Sequence, residues 1–453
     1  MSKKSYERPV IQKLNAGIMN KFGTKTEFAP VTHIDGVAVS RLIEDYGSPV
    51  FVISERQIRR NYQQANRAFK TRYPKVQFAW SYKTNYLSAV CKAFHQEGSW
   101  AEVVSIFEYE KALANGVPGN KIIFNGPDKT ENDLRRAVEN DSLIHIDHYD
   151  ELYQLSEILQ TENLRARVAI RVNMDTGIYP MWDRFGFNYE NGQAWNAITK
   201  IMSQPEMDLV GLHCHIGTYM LSAHAYATAV YKLADLAHHI KLKFGKVIQY
   251  LDLGGGFASE NTLKGSYLQG ADVVPSIDDY AETITTAVLN AGFKRDDLPT
   301  LFLETGRALI DDAAWLLGTV IATKRLSDGR RATILDFGVN LLFTSFWYNH
   351  KISVAKDFSH HTEDMVLYGP LCMNIDCIRE SVNLPLLNKG DHIVVHKVGA
   401  YNMTQWMQFI QMRPKIVLID RDGKTHIIRE NESLQTMLQY ERIPEHLQEN
   451  PLA

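Results

Sequence analysis

The sequence predicts an α/β protein: an eight-stranded (β/α)8 barrel, the TIM-barrel architecture, joined to a β-rich domain that the N-terminal segment completes. Three observations predict it. From residue 50 to about 310, short apolar runs alternate with longer amphipathic stretches through eight repeats. Beyond about Leu309 the texture changes to brief Val- and Ile-rich runs separated by turn signals such as Asp328-Gly329, Lys389-Gly390-Asp391 and Asp422-Gly423-Lys424. Finally, 453 residues are too many for one small core; a barrel of roughly 250 residues leaves room for a second domain. The expected division is therefore 50–310 for the barrel, with 1–49 and 311–453 forming the β-rich domain.

In order, Val50–Ile53 reads as a short strand and Glu55–Arg72 as an amphipathic helix. Barrel strands are expected at Phe78–Tyr82, Trp100–Val104, Ile122–Asn125, Ile144–Asp147, Arg167–Val172, Leu209–His213, Tyr250–Leu253 and Thr300–Glu304. The stretches between them, such as Glu131–Asn140 and Asp279–Ala291, are rich in Glu, Ala, Leu and Arg, as exposed helices are. A doubly wound open sheet is the structural alternative, but it rarely sustains eight such units. In the second domain, strands are expected at Thr319–Lys324, Ala332–Asp336, Asp391–Val398 and Lys415–Ile419.

Composition excludes more than it identifies. A net charge of −3 gives no reason to expect nucleic acid or a membrane surface as partner. No apolar run approaches the length of a membrane span. The start MSKKSYERPV lacks the apolar core of a signal peptide. Cys91, Cys214, Cys372 and Cys377 show no paired spacing, which suits reduced thiols in the cytoplasm.

The strand ends carry the chemistry. Phe78-Ala79-Trp80-Ser81-Tyr82-Lys83 delivers an amine where a buried strand stops; desolvated there, a lysine becomes a neutral amine able to form a Schiff base. Taken alone, a surface lysine after an edge strand is the better reading. The sixth strand ends in His213-Cys214-His215-Ile216-Gly217-Thr218. We expect only one of the two rings to face the site, and no third ligand stands at a spacing that suggests a metal. The seventh ends in Gly254-Gly255-Gly256, whose backbone N–H groups suit an anion, although a tight turn explains three glycines equally well. The eighth ends in Glu304-Thr305-Gly306-Arg307, where Arg307 suits a phosphate and Glu304 a protonated ring nitrogen, or the two form a salt bridge. Cys372 and Tyr401 lie in the β-rich part, where a buried thiol and a core aromatic are the default readings.

Lysine, stacking histidine, phosphate glycines and a ring-nitrogen carboxylate together describe a pyridoxal 5′-phosphate site. From Tyr46-Gly47-Ser48-Pro49 to past Tyr401, the chain resembles the fold type III, alanine-racemase-like decarboxylases, the group of diaminopimelate and eukaryotic ornithine decarboxylases. Ala101-Glu102-Val103-Val104-Ser105 and Asp183-Arg184-Phe185-Gly186 add to the likeness. The resemblance implies that Lys83 holds the cofactor covalently, with Glu102 and Arg171 nearby. It implies that His215 stacks on the ring and Glu304 keeps the ring nitrogen protonated. Thr218, Gly254, Gly255, Gly256, Gly306, Arg307 and Tyr401 are implied around the phosphate. Cys372 is implied to enter from the partner subunit of a homodimer as candidate proton donor, and the reaction implied is loss of CO2 from the α-carbon of an amino acid.

Three positions depart from that family at the far end of the substrate. Thr344 stands where diaminopimelate decarboxylases carry the arginine for the distal carboxylate. Met373 replaces the acid that follows the cysteine, and Asn349 follows Tyr348 where ornithine decarboxylases use aspartate. With Asp376, these residues are the expected substrate contacts. The sequence therefore leads us to expect intact chemistry on a substrate with a neutral, acylated or carrier-linked distal group, such as a siderophore precursor, unless another residue such as Arg379 supplies the charge. The alternatives are diaminopimelate decarboxylation in lysine biosynthesis, a racemase, and a non-catalytic regulatory homologue.

Overall fold

The computed structural model describes residues 30–358 and 361–448. Eight parallel strands close into a barrel: β1 (Val76–Ser81), β2 (Trp100–Val103), β3 (Ile122–Phe124), β4 (Leu143–Ile146), β5 (Ala166–Asn173), β6 (Met207–His213), β7 (Tyr250–Asp252) and β8 (Thr300–Leu303). Each pairs with its sequence neighbours, and β8 returns to β1, joining Leu301 to Val76 and Leu303 to Phe78. Helices separate the strands, among them Glu131–Glu139, capped reciprocally by Thr130 and Asp133, and Ile277–Asn290, capped in the same way by Ser276 and Asp279.

Strand alternation sorts the apolar side chains into two cores. One face packs against the helices. The other forms a separate buried layer of Ala79, Ile123, Leu143, Ala169, Val210, Tyr250 and Phe302, one residue from each of seven strands. This layer fills the barrel interior, so the C-terminal strand ends become the floor of a cavity rather than the mouth of a pore. Gly211 is needed here, because a Cβ would lie 2.2 Å from the Tyr250 ring.

The second domain is a nine-stranded sheet built around Ala314–Arg325, with Arg331–Leu335, Thr362–Tyr368 and Cys377–Pro385 on one side. On the other side lie Val50–Ser54, Ile416–Ile419 and Thr425–Arg429. The boundary expected at residue 50 needs correction: Val50–Ser54 runs antiparallel to Ala314–Leu317 and parallel to Ile416–Ile419 in this sheet, not in the barrel. All five of its residues are buried, so no alternation in the sequence distinguished the two destinations. Residues 30–49 pack on the same sheet, where Ile34, Val39 and Leu42 meet Val50, Leu317 and Val417. The remainder of the N-terminal segment, 1–29, lies outside the described residues. Among those described, no helix is long and apolar enough to cross a membrane.

Candidate active site

β1 stops at Ser81, and a single turn, Tyr82–Thr84, lifts Lys83 over the C-terminal end of the barrel. Its ammonium meets the Glu102 carboxylate at 2.8 and 2.6 Å. Glu102 ends fully buried and also accepts from the Ser81 hydroxyl at 2.5 Å. Asn125, one residue past β3, donates to Glu102 Oε1 at 3.0 Å and to Glu304 Oε1 at 2.6 Å, tying the two carboxylates together. Burial acts against the charge on Lys83, but Glu102 and Glu304 outweigh it and hold the amine above its ordinary pKa. The lysine is thus a paired ammonium, not the desolvated neutral amine expected from the sequence. The carboxylate that pairs it is also the base that can take its proton.

A cavity of about 380 Å³ opens above these groups. Its walls include Lys83, Glu102, Arg171, His213, His215, Thr218, Gly256, Glu304, Gly306, Arg307 and Tyr401, drawn from strands far apart in sequence. His215 accepts from the Gly255 N–H at 3.1 Å, and burial, reinforced by Arg171 and Lys83, pushes its pKa down to about 3. It is therefore a neutral, flat surface, backed by the Trp182 ring at 5.6 Å. Arg171 lies 4.4 Å from the Phe185 ring and 3.5 Å from Asp147.

The opposite wall is a cradle that tolerates no side chain. A Cβ on Gly255 would lie 2.4 Å from the Glu304 carbonyl, one on Gly256 2.4 Å from that of Gly217, and one on Gly306 2.0 Å from Thr84 Oγ1. Gly254 and Gly256 also hold positive φ, at +65° and +94°. Arg307 closes the cradle, its guanidinium 4.6 Å from the Tyr401 ring and hydrogen-bonded to the Tyr348 hydroxyl and, at 3.4 Å, to Thr218. Tyr401 is itself held at φ +63°, its N–H bonded to the Thr84 carbonyl at 2.9 Å. An amine, a carboxylate, a flat ring and a glycine-lined cation together fit pyridoxal phosphate, since each recognises a different part of it.

The expected distal residues fare differently. Thr344 is buried and donates to Asn402 Oδ1 at 2.8 Å, with His350 Nε2 also 2.8 Å away. It does not line the cavity. Asp376 turns inward to accept from the Val339 and Leu371 N–H groups, each at 2.8 Å. Both make structural hydrogen bonds within this chain, at positions where the sequence predicts substrate contacts. Their polarity marked them, but only their hydrogen bonds show which way they point. Tyr348 joins Arg307 at the cradle, and Asn349 pairs with Thr262 in a short ladder. Cys372 is exposed and Met373 half-buried, and neither lines the cavity of its own chain. Arg379 donates to the His350 and Ser381 carbonyls at 2.7 and 3.1 Å.

His213 also needs correction. Both rings of the His213/His215 pair border the cavity: His213 is the last residue of β6, and the irregular backbone that follows turns His215 toward the same space. His213, His145 and Glu304 bring their ligand atoms within 4.8 Å of one another, a grouping that spacing along the chain could not reveal. Asn125 and Trp182 were missed for the same reason, since nothing in the sequence marks an amide or an indole as facing a strand end.

The family described as "Pyridoxal-dependent decarboxylase, pyridoxal binding domain" matches residues 55–311, more than half the chain. The diaminopimelate decarboxylase of Methanothermobacter thermautotrophicus is 29% identical over 432 residues, covering 91% of this chain and 96% of that protein. That of Bacillus subtilis is 27% identical over 89% of this chain and 94% of its own length. The crystal structure of the M. jannaschii diaminopimelate decarboxylase superimposes with a TM-score of 0.84 at 28% identity, covering 92% of this chain and 96% of that one. A lysine/ornithine decarboxylase from Vibrio vulnificus shares the fold, with a TM-score of 0.72 at 22% identity, over 85% of this chain and 98% of its own. The chain belongs to the pyridoxal-dependent decarboxylases, in the fold type III group of diaminopimelate and ornithine decarboxylases, and is a pyridoxal phosphate-dependent amino-acid carboxy-lyase.

Proposed function

We propose that this enzyme removes one carboxylate of diaminopimelate, the reaction that names relatives sharing nine-tenths of its length. The observation that carries the reading is the Lys83–Glu102–Asn125–Glu304 chain of contacts across the barrel mouth. Bound there, pyridoxal phosphate supplies a ring that accepts the electron pair left behind when CO2 departs. Lys83 would hold the aldehyde carbon after losing a proton to Glu102, whose Oε2 lies 2.6 Å from the amine. His215, being neutral, offers a face for the ring without competing for charge. Glu304 would hold the ring nitrogen in its protonated form. Thr218, Gly254, Gly255, Gly256, Gly306, Arg307 and Tyr401 would surround the phosphate, with Arg307 supplying the positive charge. Cys372, exposed on its own chain, would reach the α-carbon of the substrate bound in a partner subunit and return a proton there, making the working enzyme a homodimer.

One observation favours a second reading, a substrate whose distal group is neutral or acylated. Thr344 is neutral and occupied by Asn402 and His350, and Arg379, which donates to two backbone carbonyls, does not line the cavity, so neither places a cation there for a second carboxylate. Measuring CO2 release from meso-diaminopimelate, ornithine, lysine and an Nε-acylated lysine tests both. Preferred turnover of diaminopimelate supports the first reading. Turnover of the acylated substrate alone replaces it with the second, and inversion at Cα without CO2 release rejects both.

A further inference from the structure

From the cavity wall inward runs a column of polar side chains, His213, His145 and Tyr250, that the reaction above does not use. His213 ends β6 and is almost wholly buried, yet neither of its ring nitrogens has a hydrogen-bond partner among the described residues. Its Nε2 is 3.6 Å from Glu304 Oε2, and Glu304 is the carboxylate that comes within ion-pairing distance of it. The other oxygen of Glu304 is already engaged by Asn125 at 2.6 Å. Behind His213, the His145 ring packs at 4.7 Å between centroids, and His145 Nε2 is 2.9 Å from the Tyr250 hydroxyl. This fixes the plane from which His213 faces Glu304.

Burial first, then Arg171, drives His213 well below the ordinary imidazole pKa, and burial does the same to His145. Lys83, Lys129 and Glu102 are the other charges that act on His213. Asp252, at the end of β7, is pushed up by burial and by Glu304. A neutral imidazole carries a single N–H, and leaving that donor buried without an acceptor is unfavourable. Catalytic hydrogen bonds are commonly long before the site is loaded and shorten afterwards.

We propose that His213 is a positioning residue: with its proton on Nε2 it donates to Glu304 Oε2, keeping that carboxylate turned toward the ring nitrogen of the bound cofactor. The inference rests on the reading of Glu304 as the ring nitrogen's partner. Without the donor, one side of the Glu304 carboxylate is released and is no longer held against the ring nitrogen, weakening the electron sink while leaving substrate contacts alone.

The test reconstitutes the enzyme with pyridoxal phosphate labelled with 15N in the ring and follows the ring nitrogen by NMR in wild type, H213L, H213Q and E304Q. Near-UV circular dichroism and metal analysis accompany each sample. In H213L the signal should move toward the deprotonated position, with kcat lowered about 10- to 100-fold and KM changed less than about 3-fold. H213Q, whose amide reaches the Nε2 position, should restore most of both. E304Q should move the signal as well. A signal that stays at the wild-type position in H213L but moves in E304Q overturns the role of His213. A signal unmoved in both overturns the reading of Glu304 and the inference with it. Stoichiometric metal that is lost on replacing His213 also overturns it, since His145, His213 and Glu304 would then be ligands. Should H213L fail to fold, H213M carries the same comparison.

Discussion

Two regions of the molecule, one around Lys83 and one around Thr344, are built from different chemistry. Around Lys83 the side chains are charged and mutually dependent: an ammonium on Glu102, Asn125 bridging Glu102 to Glu304, and Arg307 held by Tyr348 and Thr218. Around Thr344 they are neutral and closed on themselves. Thr344 bonds Asn402 and His350, and burial pushes His350 down to a pKa of about 3, so it carries no charge. Removing one partner from the first network strands a buried charge at about 3–5 kcal/mol. Removing one from the second costs a single neutral hydrogen bond. The region around Lys83 is therefore the costlier of the two to alter.

The comparison is broken most directly at Lys83. Lys83→Ala should lower kcat/KM on the order of 10⁴-fold and abolish the near-visible absorption of bound cofactor. Activity retained within about tenfold would show that the amine is not the attachment point. Gly306→Ala comes next. A Cβ there meets Thr84 Oγ1 at 2.0 Å, and relief requires the turn carrying Lys83 to shift. Cofactor affinity measured by equilibrium dialysis should fall about 10- to 100-fold, as overpacking of about 1–3 kcal/mol implies. An unchanged affinity would mean that the cradle is not pressed against the cofactor.

What the sequence revealed divides along the same line. The eight barrel strands were legible because alternation with helices is a local pattern, and Lys83, His215, Glu304 and Arg307 because each follows the end of one of them. Asn125, Trp182 and the His145–His213–Glu304 grouping were not, since barrel closure rather than spacing brings them together. Thr362–Tyr368 and Cys377–Pro385 escaped notice because their half-exposed, charge-bearing residues lack the apolar runs of the inner strands. At Thr344 and Asp376 the sequence shows the residue but not the direction in which it bonds. A polar residue at a family's binding position reads as a contact until its hydrogen-bond partners are known.

A gentler probe of the charged region is pH. Burial raises Glu108, whose Oε2 accepts from the Val104 N–H at 2.8 Å, from its ordinary 4.5 to about 7, with Glu102 adding to the rise. A raised carboxyl favours the folded state when protonated. Its contribution is complete below about pH 4.5 and is lost as pH climbs through 7. Glu108→Gln should therefore flatten the decline in stability over that window, an effect on the order of 1–3 kcal/mol by denaturant titration. A decline of unchanged slope would place its origin elsewhere.

The smallest effect belongs to the neutral region and sharpens the comparison most. Thr344→Val keeps the shape but removes the hydroxyl, leaving His350 Nε2 without its partner and Asn402 Oδ1 with the Thr344 N–H at 3.1 Å. If Thr344 serves the fold alone, unfolding free energy drops by about 1–2 kcal/mol while kcat/KM for the preferred substrate stays within about 3-fold. If the hydroxyl instead reads the substrate, the pattern reverses: stability holds and kcat/KM falls, chiefly through KM. The reversed result would mean that the network around His350 opens toward the substrate in the working enzyme. The contrast between a charged cofactor region and a closed neutral region would then be a property of the unliganded protein alone.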